Sequence, residues 1–273
     1  MSGRRGFSLV EMVIVLVLAG IVSTAAITMF STQNRLNAQM TALGESQENA
    51  RSAVMLAASE LHGATAGAVI DAGASSLTLR LPVVVGVVCG EQNGPFRSVY
   101  FPLDGVDLDA SEIDGYALAD ASGAWTDAGA FRNPNQFNPG ARQFCIDAGG
   151  GAAGQDADYA RMRLIGSSVG TPVMLYREVR YYLAPSALDS SRRGFFRATD
   201  GQAVELAHGF TDDSRFEYQL ADTAWSSSVR NPDLANIEGV RLVVEVQGEG
   251  TSGSASGSAS FALVREIQLR NVR

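Results

Sequence analysis

Arg4-Arg5-Gly6-Phe7-Ser8-Leu9-Val10-Glu11 sets a short basic leader and a glycine directly against an apolar stretch that runs on to about Phe30, with Glu11 its only charge. At a helical rise of about 1.5 Å per residue, a helix over that stretch is long enough to cross a bilayer. The chain is therefore expected to pass through a membrane at some stage. A carboxylate near the end of a membrane helix is costly unless it is paired, and residues of this kind commonly mark function. Glu11 demands a partner that the stretch itself does not supply.

The run Gly6-Phe7-Ser8-Leu9-Val10-Glu11-Met12 resembles the processing site of the type IV pilin family, which includes the type II secretion pseudopilins. That resemblance implies a prepilin peptidase and methyltransferase of the inner membrane, which cuts after Gly6 and N-methylates the new terminus at Phe7. Glu11 matches the family's glutamate, implying that it neutralises the terminal amine of a neighbouring subunit during filament assembly. The partners implied are other pilin or pseudopilin subunits, the peptidase, and an inner-membrane assembly platform powered by a cytoplasmic ATPase. A Sec signal peptide is the competing reading, since it too has a basic start and an apolar run, and Ser23-Thr24-Ala25 passes for a small-residue cleavage site. A signal peptide gains nothing from an internal glutamate, however, and the helical pattern continues well past Ala25.

Composition narrows the rest. The chain has 273 residues and a formal charge of −8, which becomes more negative once Arg4 and Arg5 leave with the leader. An acidic chain without a polybasic face argues against nucleic acid as the main partner, because phosphate-backbone binding needs clustered cations. All 21 basic side chains are arginine. An ordinary apolar fraction beside 29 glycines suits a loop-rich domain that folds. Cys89 and Cys145 are the only cysteines, and an even count fits the oxidising periplasm the anchor implies. A disulfide between them would contribute roughly 4 kcal/mol in the chain-entropy view; two buried free thiols are the alternative.

Beyond the bilayer segment Leu36, Met40, Leu43, Ala50, Val54, Ala57 and Leu61 recur at helical spacing, so a single helix spans both environments. The chain then divides into a leader over 1–6, a transmembrane half over 7–30, an amphipathic half over 31–62, and a β-rich domain over 63–273. Gly63 is the expected helix C-cap. The amphipathic half is expected to lay its stripe on a sheet. Leu77, Leu79 and Leu81 alternate up to Pro82, and an apolar run leads to Cys89. From about 89 to 154 the chain reads as a loop-rich insertion, with short strands only at Ser98 to Phe101 and around Phe144. The C-terminal half reads as a meander: Val173, Leu175, Val179, Tyr181 and Leu183 share one strand face, Phe216, Tyr218 and Leu220 another. Val240, Leu242, Val244 and Val246 form the cleanest half-buried strand, and Phe261, Leu263, Ile267 and Leu269 the last. Gly248 to Ser260 reads as a flexible hairpin tip. The fold class expected is α+β: a long N-terminal helix, half anchor and half scaffold, packed on an antiparallel sheet.

The Tyr176–Leu183 strand, then Gly194-Phe195-Phe196-Arg197 and Ala203-Val204-Glu205-Leu206-Ala207, resemble the larger minor pilins of the W type and the J-type minor pseudopilin. Ile267-Gln268-Leu269-Arg270-Asn271 fits the same group, which includes a minor pilin of mannose-sensitive haemagglutinin pili. The resemblance implies a minor pilin that initiates, caps or modifies a type IV pilus, held in the inner membrane with its C-terminal domain in the periplasm. The alternatives are a minor pseudopilin of a type II secretion system and, from another class, an adhesin or DNA-uptake receptor that binds through residues 89–154 or the 248–260 tip.

Asp104, Asp107, Asp109, Glu112 and Asp114 form the densest carboxylate cluster, but from Asp107 the sixth position holds Glu112 where an EF-hand needs glycine, and the twelfth holds Leu118. A solvated acidic loop is the better reading. His62 and His208 are remote from each other and show no ligand spacing, His208 being placed in a turn beside Gly209. No nucleophile elbow, phosphate loop or paired catalytic motif is present in the sequence. No enzyme activity, metal or cofactor is expected. The aromatics Tyr176, Tyr181, Tyr182, Phe195, Phe196, Phe216 and Tyr218 sit at strand spacing and are expected in the core and in cross-strand pairs.

Overall fold

The structure, a computed structural model, describes residues 9–65, 67–91, 94–101, 110–120, 125–130, 137–139, 159–221, 223–247 and 260–269. A helix α1 of 55 residues, Leu9–Gly63, leads into an antiparallel sheet. Strands follow in chain order: β1 Val69–Gly73, β2 Ser76–Glu91, β3 Phe96–Tyr100, β4 Gly115–Ala119, β5 Trp125–Ala130, β6 Phe137–Pro139 and β7 Tyr159–Arg163. The second half adds β8 Pro172–Pro185, β9 Arg193–Thr199, β10 Gln202–Phe210, β11 Arg215–Leu220, β12 Ile237–Gln247 and β13 Ser260–Gln268. The fold is thus α+β with a long N-terminal helix on an antiparallel sheet, in agreement with the sequence.

Helix α1 ends at Gly63, but not by the left-handed cap that glycine allows. The last turn tightens instead, Ala64 donating to the Leu61 carbonyl at 3.1 Å, and the left-handed residue comes later, at Gly67 with φ 74°. Burial of the helix is also shorter than its periodicity suggests. Ala50, Ala53, Val54, Ala57, Ala58 and Leu61 are buried against the sheet, whereas Leu36 and Met40 stay 49% and 71% exposed. The stripe continues toward the membrane segment after the sheet beneath it has ended.

Strand β8 is the spine of the sheet. One edge pairs with β2 over nearly its whole length; the other pairs with β4 through Val173–Tyr176 and with β9 through Arg180–Pro185. Val173, Leu175, Val179, Tyr181 and Leu183 are all buried on one face, as alternation requires. Two cores form along that face. The larger joins the buried helix residues to Leu77, Leu79, Val179, Tyr181 and the inner faces of β9 to β13. The smaller gathers Val88, Val99, Phe101, Ile113, Tyr116, Ala160, Met162, Leu164, Val173 and Leu175. Half-buried Arg177 lies at the intervening position on β8 and donates to the Glu112 carbonyl at 3.1 Å.

The second core corrects the expectation of a loop-dominated insertion. Strands β3 to β6 occupy that region, and β2 runs straight through Pro82 with a register shift at Pro82/Val84 that accommodates the missing donor. β4 and β5 are five and six residues long and rich in Gly and Ala, so alternation is diluted; pairing of β4 with the long β8 on one side and β5 on the other supplies what local preference does not. Phe144, Cys145 and the 248–259 tip lie outside the described residues. The strands flanking the tip pair in unbroken register from Gly239↔Gln268 to Gln247↔Ser260. His208 is a strand residue of β10, not a turn residue; the positive φ belongs to Gly209 next to it. The β9–β10 hairpin closes through Asp200 and Gly201, with φ of 52° and 74°, as a two-residue primed turn requires.

Gly86 sets how closely β2 approaches the smaller core. A Cβ there would lie 2.4 Å from the Phe101 ring and 2.5 Å from the Tyr100 carbonyl. Gly86→Ala is therefore expected to destabilise the protein by about 1–3 kcal/mol, the usual range for overpacking. Denaturant unfolding of the detergent-solubilised chain checks this, and unchanged stability would show that the second core is loosely packed.

Candidate assembly site on the N-terminal helix

Among the described residues, those of α1 from Leu9 to Ala38 are all exposed. Its most apolar 18-residue window has a mean hydropathy of 2.5 and none of it is buried, so by length and composition the helix can cross a membrane. The threonine hydroxyls of this segment are satisfied within the helix: Thr24 bonds the Gly20 carbonyl at 2.8 Å, Thr28 the Ala25 carbonyl at 2.8 Å and Thr32 the Thr28 carbonyl at 2.8 Å. In hydrocarbon an unsatisfied hydroxyl costs several kcal/mol, so this back-bonding makes the polar residues compatible with lipid. The helix runs unbroken through Thr28.

Glu11 is exposed in the first turn of this helix. A carboxylate there complements the positive end of the helix dipole, which offsets part of the cost of its charge. Gly6 and Phe7, the expected processing pair, lie outside the described residues. Cys89 is half-buried near the end of β2, beside Val88 of the smaller core; Cys145 lies outside the described residues.

What fixes the helix to the sheet is a polar contact that the sequence did not disclose. Glu60, one residue before the buried Leu61, receives two bonds from the Arg197 guanidinium, Nε to Oε2 at 3.1 Å and an NH2 to Oε1 at 2.9 Å. The buried Tyr181 hydroxyl donates to the same carboxylate. Burial, and then the Glu60 charge, push the Tyr181 phenol far above its ordinary range, so it stays a donor. Burial works against the Arg197 charge, yet the bonds to Glu60 leave its pKa raised. A bidentate Arg–carboxylate pair with a third donor fixes orientation as well as energy. Tyr181 also stacks on Phe195, with centroids 5.6 Å apart and planes 15° apart.

The remaining aromatics divide as strand geometry dictates. Tyr181, Phe195, Phe216 and Tyr218 are buried in the larger core; Tyr176 is buried on the opposite face of β8, the face on which Tyr182 stacks with Phe196 as a cross-strand pair, 5.1 Å between centroids. Of the acidic cluster, Asp104, Asp107 and Asp109 lie outside the described residues. Glu112 pairs with Arg177, and Asp114 accepts the Glu178 backbone N–H at 2.6 Å. Among the described residues no three His, Cys, Asp or Glu side chains are placed to hold a metal ion.

Residues 1–27 match the family model described as the prokaryotic N-terminal methylation motif. No curated protein and no solved structure matches the chain significantly.

Asp114, bonded to β8 through the Glu178 backbone, gives the sheet a pH signature. Burial, helped by the nearby Asp200 and Glu178 charges, raises its carboxyl above the ordinary 3.8. Between 3.8 and the higher folded value the native state binds more protons than the unfolded one, so this group's contribution falls as pH rises through that window. Relative to Asp114→Asn, the unmodified protein should therefore gain stability as pH is lowered toward about 4, measured by thermal unfolding across pH. A difference independent of pH would show that Asp114 titrates normally.

The chain thus carries a prokaryotic N-terminal methylation motif over residues 1–27, running into an exposed helix long and apolar enough to cross a membrane.

Proposed function

We propose that the chain is a minor pilin, a low-copy, non-enzymatic subunit that initiates, caps or modifies a type IV pilus from the inner membrane, with its β-rich domain in the periplasm. The observation that carries this reading is Glu11, exposed on the first turn of a helix that begins within the methylation motif. In the bilayer its charge is tolerable only when paired, and the cation every subunit offers is the amine created at Phe7 when the leader leaves. In an α-helix a terminal amine points along the axis whereas side chains project sideways, so the amine of a neighbouring subunit is the easier partner for Glu11. A head enlarged by a second core suits a specialised subunit better than the bulk of a filament. A minor pseudopilin of a secretion system shares these features, and which subunits co-purify separates the two.

Glu11→Ala should leave membrane insertion and leader removal intact while lowering co-purification with the other pilin subunits by about tenfold or more, as loss of a pairing worth at least about 1.4 kcal/mol implies. Immunoblotting of the processed form beside the co-purified fraction reads both. Normal incorporation of the cleaved variant would remove the assembly role of this carboxylate.

Cys89 and Cys145 are proposed to be joined in the periplasm. Non-reducing peptide mapping should recover them as one linked fragment, and reduction should lower stability by about 2–5 kcal/mol. Two free thiols in protein taken from the native compartment would rule the bridge out.

A further inference from the structure

On the side of α1 facing β13 lies an open groove of about 360 Å³. One wall is helical, with Gly44, Gln47, Arg51 and Met55; the other is β13. Both inward-facing Leu263 and outward-facing Val264 line it, and residues of opposite faces meet a single cavity only at a strand's edge. That edge is open: β13 pairs with β12 on one side and, among the described residues, with no strand on the other. Val264 is 51% exposed and Met55 51% exposed, which leaves apolar surface beside unused backbone donors and acceptors. Long exposed edges are ordinarily blunted, because they template pairing with another chain.

We propose that this groove receives an extended segment of another filament subunit, which adds a strand to β13 and carries apolar side chains alternating with a carboxylate. The edge selects an extended backbone, since main-chain hydrogen bonds give affinity and alternate side chains give selectivity. Charge selects the carboxylate: Arg51 and Arg265 line the groove against one acid, Glu48, and neither arginine makes an ion pair among the described residues. In a chain of net charge −8, two uncommitted guanidiniums flanking an apolar slot form a local positive site. That the partner is another subunit rests on the pilin reading; the strand-accepting edge does not.

A photo-crosslinking amino acid in place of Met55 or Val264, in the full chain expressed in its native host, tests the proposal. The expected adduct maps to an extended, carboxylate-bearing segment of a second polypeptide. Arg51→Glu with Arg265→Glu should lower its yield by about tenfold, while Arg51→Lys with Arg265→Lys should preserve it. Both arginines are exposed, so neither pair is expected to disturb folding. Adducts confined to lipid, to the same chain or to a partner's helix would overturn the proposal, as would no adduct or a yield indifferent to charge reversal. Leader removal is followed in the same samples: a cleaved chain without the adduct defeats the groove alone, and a retained leader defeats the pilin reading while the adduct still reports on the edge.

Discussion

The close seating of the last third of α1 on the sheet is the contact on which the rest of the structure depends. Ala50, Ala53, Ala57 and Ala58 present almost no side-chain bulk, so the helix axis can approach the β-sheet until Val54 and Leu61 reach the larger core. Burial of apolar surface drives this approach but does not fix its angle, being non-directional. Glu60 does, because its two oxygens are held by Arg197 from β9 and Tyr181 from β8. With one end of a 55-residue rod oriented in this way, the position of every residue toward Leu9 follows. A head so fixed sets the direction of a membrane-capable segment that, among the described residues, stays fully exposed.

The sheet serves two loads through one strand. The C-terminal half of β8 faces the helix, and its N-terminal half faces the core built from β2, β3, β4 and β7. Arg177 sits between them, half-buried and bonded to Glu112, so the two apolar clusters remain separate although the strand is continuous. The head can therefore elaborate its distal part without altering the surface on which the helix rests. In the proposed role, the distal part and the open β13 edge are where one subunit would differ from another, while the anchor remains generic.

Much of this was legible in the chain. The faces of β8 and β12 followed from alternation, because both strands are long and their buried residues are large. The membrane-capable helix followed from hydropathy alone, and Glu11 stands out as the single charge in its apolar stretch. Of the strands in the insertion only β3 was anticipated, near Ser98 to Phe101; β4 was not legible, since it reads Gly115-Tyr116-Ala117-Leu118-Ala119 and is a strand because β8 and β5 lie on either side. Nor was the helix clamp, since Glu60 finds partners 121 and 137 residues away and has no local pattern of its own. Its only trace was the arginine-bearing strand after the tyrosine-rich one, a pairing whose purpose appears once the helix is laid across it. The periodicity of Leu36 and Met40 marked an apolar stripe correctly but could not tell where the sheet beneath it stops.

The proposed role of the helix depends on what happens at the amino terminus. Tandem mass spectrometry of the N-terminal peptide, from protein recovered out of its native host, tests it most directly. A mature chain beginning at N-methylated Phe7 is the predicted result; a terminus at Ala26, the product of ordinary signal cleavage, would contradict it by removing the helix on which assembly is proposed to depend.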